Sequence, residues 1–234
     1  MKSQAQTQEC STRENVLKRV RTAVERIGVG RPTKSVIIVG RRGVGKTALL
    51  DLLFDEMEHQ AQCAYLHAME LRSLPSILAP ALHLALLRMS GKDAAKPSAI
   101  RGLRALAGFS RAMNAKFADL GGESEYEPEA GLADNGDLDS DLTALLIQVG
   151  ATAKAADTAF IVFVDDVQYI EESELAALIS ALHRVSQLAL PVILVGAALP
   201  VIRERAGNAR SYAERLFDFP EIKPIDSADI DECH

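Results

Sequence analysis

The stretch SVIIVGRRGVGKTALL, residues 35–50, decides the fold. Residues 36–39 form an apolar run that reads as a buried strand, GRRGVGKT follows at 40–47, and an apolar helix continues over 48–54. This is the G-x-x-x-x-G-K-[ST] pattern in its strand, loop, helix setting. A phosphate chain must lie against bare backbone there, so Gly40, Gly43 and Gly45 are needed to aim successive N–H groups inward. The helix adds its positive N-terminal end. Phosphate contacts are therefore expected along Gly40, Arg41, Arg42, Gly43, Val44, Gly45, Lys46, Thr47 and Ala48, although the pattern itself does not demand Arg41 or Arg42. Lys46 is expected at the β- and γ-phosphates of a nucleotide as a flexible point charge, and the Thr47 hydroxyl on Mg²⁺.

The second informative stretch is AFIVFVDDVQYI at 159–170. Its five apolar residues at 160–164 suit a central parallel strand buried on both faces, and two carboxylates stand at its end. In open α/β sheets ligands bind at that end. Asp165 is expected to hold Mg²⁺ through its water shell, and Asp166 to orient or activate an attacking water. Gln168 reads either as a helper of that water or as a polar turn residue.

Composition narrows the class. A chain of 234 residues, 48% of them hydrophobic, has room for one sizeable α/β domain, with or without a long insertion. The polar start MKSQAQTQEC has no apolar core of a secretory signal, and the most apolar long segment, 74–89, is interrupted by Pro75, Pro80, His83 and Arg88. No membrane association is expected, and the location is expected to be cytoplasmic. Cys10, Cys63 and Cys233 are widely spaced, which suits reduced thiols better than disulfides or zinc. The net charge of −6 conceals an asymmetry: residues 1–47 carry eleven Lys/Arg against three Glu, and residues 121–141 carry eight Asp/Glu with no Lys or Arg.

In chain order, 1–12 reads as a disordered tail, and 14–27 as a helix with Val16, Leu17, Val20, Val24 and Ile27 at helical spacing. After the phosphate-loop helix come a strand at 63–67, a helix at 74–89, and an expected insertion at about 91–141 with a solvated acidic loop. Asp134, Asn135, Asp137, Asp139 and Asp141 lack the spacing of a Ca²⁺ loop and read as a solvated charge run. A helix at 142–154, the carboxylate-ended strand, an amphipathic helix at 173–190 and a strand within 190–200 follow, with 226–234 as a tail. Alternating strands and helices predict an α/β fold: three layers, a central parallel sheet with helices on both faces.

The combination RRGVGKTALL, VDDVQYI, LPVILVGAALP and SYAERLFDF, with an extra strand between the first two, resembles AAA+ P-loop ATPases of the origin-recognition and signal-transduction type over residues 13–225. The resemblance implies ATP and Mg²⁺ as cofactors, hydrolysis of the γ-phosphate, and coupling to homo-oligomer assembly or a protein partner. It gives Lys46 and Thr47 the phosphate and metal roles, Asp165 the metal-water role and Asp166 that of the catalytic acid residue, a position usually held by Glu. A polar sensor is expected at the end of the fourth strand, where this chain has Gly196, Ala197 and Ala198. Arg215, or Arg210, is the candidate arginine finger toward a neighbouring subunit, against an ion pair with Glu214 or Asp218. A nucleotide-dependent switch without hydrolysis is the nearest alternative. A DNA-associated initiator or transposition helper is supported by the resemblance and the basic N-terminal helix, and a GTPase is disfavoured by the lack of an N-K-x-D motif.

Overall fold

A computed structural model of the chain describes residues 2–90, 97–114 and 126–223, with backbone alone over 2–11. The apolar runs form a five-stranded parallel sheet in the order β2-β3-β4-β1-β5. Its strands are β1 (Ser35–Val39), β2 (Gln62–His67), β3 (Phe160–Asp165), β4 (Val192–Ala198) and β5 (Phe217–Asp218). Helix α1 (Lys2–Gly28) precedes β1, and α2 (Lys46–Met57) links β1 to β2. Between β2 and β3 lie α3 (Leu74–Ser90), α4 (Pro97–Ala112) and α5 (Leu138–Ala155). Helix α6 (Glu172–Gln187) joins β3 to β4, and α7 (Ile202–Ala209) and α8 (Ala213–Leu216) lead to β5.

The period-two geometry of a strand sends neighbouring side chains to opposite faces, and both faces here are covered. Val36, Ile38, Ile161, Phe163, Ile193 and Val195 pack with Val16, Val20 and Val24 of α1 and Leu50 and Leu53 of α2. On the other face Ile37, Val39, Val162, Val164 and Leu194 pack with residues of α3 to α8. The three-layer expectation holds. Register then decides what meets at the rim: His67 stands beside Asp165 across β2 and β3, and Val39 beside Ala198 across β1 and β4.

Three expectations are corrected. The helix begins at Lys2, inside the stretch read as a disordered tail, because no Gly or Pro interrupts the chain before Gly28. Part of the expected insertion belongs to the core. Helix α4 buries Leu103, Leu106 and Phe109 between α3 and α5. Gly102 permits that approach, since a Cβ there would lie 2.7 Å from Leu86 Cδ2 and 3.2 Å from Thr152 Oγ1. Positions 91–96, 115–125 and the expected tail 226–234 lie outside the described residues.

The acidic run is the third correction, because its carboxylates are structural rather than merely solvated. Asp141 is fully buried and accepts hydrogen bonds from Asn135 N (3.0 Å), Asn135 Nδ2 (3.1 Å) and Gly136 N (2.8 Å). Asp137 caps α5 by accepting from Ser140 N at 2.9 Å, which holds its carboxyl below the usual range. Asp139 pairs with Arg210 and accepts from Ser180 Oγ. These oxygens are spent on backbone and side-chain donors, so they build the entry to α5 instead of a cation loop.

Candidate functional site

The phosphate loop spans the gap between the end of β1 and the start of α2. Gly43 and Gly45 have φ of 79° and 83°, the left-handed region where a side chain would be strained. Gly40 answers a different demand, for a Cβ there would lie 2.7 Å from Ile222 O and 2.8 Å from Val44 Cγ2. Gly45 starts α2 with no side-chain cap, which leaves the first N–H groups of the helix free for a ligand. Val44 is buried beneath the loop, whereas Arg41, Arg42, Thr47 and Ala48 are exposed along it.

Lys46 is nearly buried, and its ammonium donates to Arg41 O at 2.9 Å. Burial lowers its pKa, with the Asp166 and Asp165 carboxylates pulling it back up and Arg42 pushing it further down. Those three charged groups therefore surround the same space as the lysine. In it Thr47 Oγ1 donates to Asp165 Oδ2 at 2.9 Å, joining positions 118 residues apart. Asp165 is 1% exposed, and its other oxygen accepts from Asp166 N at 2.9 Å. His67 Nδ1 lies 3.7 Å from Asp165 Oδ2.

Asp166 adopts φ 55° and ψ 42°, a left-handed conformation that costs a non-glycine residue about 1 kcal/mol or more. The turn at Val167–Tyr169 follows it directly, and the Asp166 carboxylate lies close enough to the loop to pull the pKa of Lys46 upward against the larger effect of burial. Its Oδ1 accepts from Gln168 Nε2 at 2.8 Å, and Gln168 Oε1 accepts from Leu199 N at 2.9 Å. The buried Gln168 side chain thus ties Asp166 to the residue just after β4. Arg205 of α7 donates to the carbonyls of Gln168 and, at 2.8 Å, of Ile170, which clamps the turn from behind.

The structure places Lys46, Thr47, Asp165 and Asp166 together. It does not bring Arg215 to them: α8 leads into Phe217, which pairs with Ser35 at the opposite end of β1 from the loop. Arg215 is exposed, and Asp218, its proposed ion-pair partner, is taken by Arg19 at 2.8 Å. Arg210 is held by Asp139 and Ser180. The end of β4 carries no polar side chain, and Gly196 is fitted to its place, since a Cβ would meet Val167 Cγ2 at 2.9 Å.

Several contributors have no local signal in the sequence. Arg13 of α1 donates to Val44 O at 2.7 Å and so braces the phosphate loop from the N-terminal helix. Arg42 Nη2 donates to Tyr169 Oη at 2.7 Å, bridging the loop to the turn after Asp166. His67 is brought in only by strand register. Each is a contact over more than thirty residues, which spacing rules for short motifs do not reach.

Over residues 9–195 the chain matches the AAA ATPase domain family. Among solved structures it is similar to a chain of Drosophila ORC bound to poly(dA/dT) DNA and Cdc6, at TM-score 0.53 and 10% identity, over 92% of this chain and 29% of that one. It is also similar to Cdc6p from Pyrobaculum aerophilum, at TM-score 0.49 and 15% identity, over 89% of this chain and 45% of that one. The chain thus spans less than half the length of either. A comparison with curated proteins finds no match. Among the described residues no helix is long and apolar enough to cross a membrane. With its phosphate loop, its strand ending in paired aspartates and its parallel sheet, the chain belongs to the AAA ATPase domain family.

Proposed function

We propose that this chain binds Mg·ATP at the rim of the sheet and hydrolyses the γ-phosphate bond, the cycle being coupled to assembly with further copies or with a protein partner. The carrying observation is the Thr47 to Asp165 hydrogen bond, which joins the phosphate loop and the carboxylate-ended strand into one site. The donor set fits Mg²⁺: a hydroxyl and a carboxylate are hard oxygen ligands, and the nearly buried Asp165 accepts its hydrogen bonds from the Thr47 hydroxyl and Asp166 N. Bound there, Mg²⁺ would neutralise charge on the β- and γ-phosphates.

The protein's own groups divide the work. The loop N–H groups and the open start of α2 hold the phosphates, and Lys46 exchanges the Arg41 carbonyl for phosphate oxygens. Asp166 orients a water and accepts its proton as the bond to the leaving oxygen breaks. An arginine contributed to a neighbouring subunit would be Arg215, exposed and unclaimed by its proposed carboxylate, rather than the tethered Arg210.

One observation favours the second reading, a switch with negligible turnover. Asp166, shorter by one CH₂ than the usual Glu, already spends Oδ1 on Gln168, and no polar side chain stands at the end of β4. Phosphate release by the parent and by Asp166→Ala separates the two. A parent rate at least about tenfold above the variant supports hydrolysis; both at the level of a blank leaves the switch. Calorimetry with Mg·ATP and Mg·GTP tests the binding step, which Lys46→Ala should abolish.

A further inference from the structure

At the end of the sheet away from the phosphate loop, a cavity opens between α1 and the start of β1. It holds about 580 Å³, a volume that suits a ligand. One wall is a face of α1 whose residues recur at helical spacing, and the other is the segment that enters β1, with Asp218 of β5 beside it. Ser35 and Val36 pair with Phe217 and Asp218 where β1 begins, whereas the phosphate loop leaves from Val39 where it ends. The two sites are therefore separate.

The charge in this cavity runs against that of the chain. Lys18, Arg19 and Arg26 line it from α1 and Lys34 from the other wall, in a protein of net charge −6. Its one carboxylate, Asp218, is bonded to Arg19 at 2.8 Å. Among the described residues no carboxylate pairs with Lys18, Arg26 or Lys34. Lys34 Nζ donates to Glu214 O at 2.9 Å, and Arg26 Nη2 to Pro32 O at 3.1 Å. A carbonyl fixes the direction of a cation without cancelling its charge. Ala23 and Val36, both buried, give the cavity an apolar floor.

We propose that this cavity is a docking groove for an extended acidic segment of a protein partner. The rise from Lys18 to Arg26 along α1 is about 12 Å, and carboxylates four residues apart on one face of an extended peptide are separated by about 13 Å. Lys34 adds its charge from the other wall, and small apolar side chains between the carboxylates suit the floor. Nucleic acid fits less well. No aromatic ring lines the cavity for a base to stack on. Only Oδ2 of Asp218 is bonded to Arg19, so a peptide N–H can donate to the other oxygen, where a DNA backbone has no donor and meets like charge. Arg19 and Arg21 of the same helix are already committed, to Asp218 and to Glu56. The groove lies apart from the nucleotide site, so the proposal does not rest on hydrolysis.

The test uses the full chain and, as the probe, a fluorescein-labelled peptide of alternating Asp and Ala, read by fluorescence anisotropy at about 0.15 M salt. The parent should bind it and should not bind the Asn and Ala counterpart. In Arg26→Gln/Lys34→Gln the dissociation constant should rise about tenfold or more. Lys18→Glu should do the same, and because the Lys18 side chain is exposed that variant should melt as the parent does. An equal loss of charge on α4, in Arg104→Gln/Arg111→Gln, should change the constant less than about twofold. No binding by the parent, equal losses in the two double variants, or tighter binding of a short duplex DNA with loss in the same groove variants would each overturn the proposal. Calorimetry of Mg·ATP against Lys46→Ala reads the nucleotide site separately, so failure at the groove and failure of nucleotide binding are distinguishable.

Discussion

Replacing Gln168 by Ala removes a side chain whose two ends do opposite things. The carbonyl oxygen accepts from Leu199 N at 2.9 Å, and the amide donates to Asp166 at 2.8 Å. Loss of the first leaves a partly buried backbone donor without its acceptor, at about 1–2 kcal/mol. Loss of the second costs less in stability, about 0.5–1 kcal/mol, because the half-buried Asp166 can recruit water. The sum of about 1.5–3 kcal/mol corresponds to a fall in Tm of about 3–12 °C for a domain of this size, measurable by thermal or urea denaturation. Catalysis should suffer more than binding. An Asp166 freed to rotate should lower turnover about tenfold or more, with the dissociation constant for Mg·ATP within about twofold of the parent. Gln168→Glu sharpens the test, since it keeps an acceptor for Leu199 N but sets a second carboxylate against Asp166 Oδ1, and it should turn over no faster than Gln168→Ala. Gln168→Ala within about 0.5 kcal/mol of the parent, with unchanged turnover, would refute the bridge.

Asp141→Ala should cost about 3 kcal/mol or more in urea unfolding, because it deprives three donors at Asn135 and Gly136 of a buried carboxylate, and hydrogen exchange at Gly136 should speed up. Gly40→Ala should destabilise by about 1–3 kcal/mol, since its Cβ would press on Ile222 O at 2.7 Å; a variant as stable as the parent would show that residue 222 yields freely. Glu174 accepts from Leu74 N at the start of α3, and burial holds its carboxyl above the ordinary 4.5. The folded state therefore binds this proton more tightly than the unfolded state. The stability that the proton contributes is full below the ordinary value and is lost as pH rises through the raised one. Denaturation of parent and Glu174→Gln across that window should show the difference between them shrinking to the parent's disadvantage with rising pH; parallel curves would exclude the raised pKa.

Much of the site was legible because its chemistry is written in contiguous motifs. The loop glycines, Lys46 and Thr47 follow from what a phosphate chain demands of backbone, and the two aspartates from the apolar run that delivers them to the rim. The apolar runs also predicted the parallel order of layers. Legibility failed where function depends on partners far apart in the chain. Nothing near His67 marks it, and only the pairing of β2 with β3 puts it beside Asp165. Arg205 looks like any basic residue of a short helix until the chain folds it onto two carbonyls of the turn. The acidic run misled for a related reason: charge density reads as solvation, but Asp141 finds enough backbone donors in its own turn to be buried.

The parallel register has a consequence for how such a domain can change. Every strand runs the same way, so His67, Asp165 and the last residues of β1 and β4 finish on a single edge, while the strand interiors are apolar from Val36 to Val39, Phe160 to Val164 and Val192 to Val195. Chemistry and cohesion therefore occupy different parts of the same strands. The edge can be rewritten one terminal residue at a time, exchanging an imidazole or a carboxylate, with the chassis beneath it left untouched.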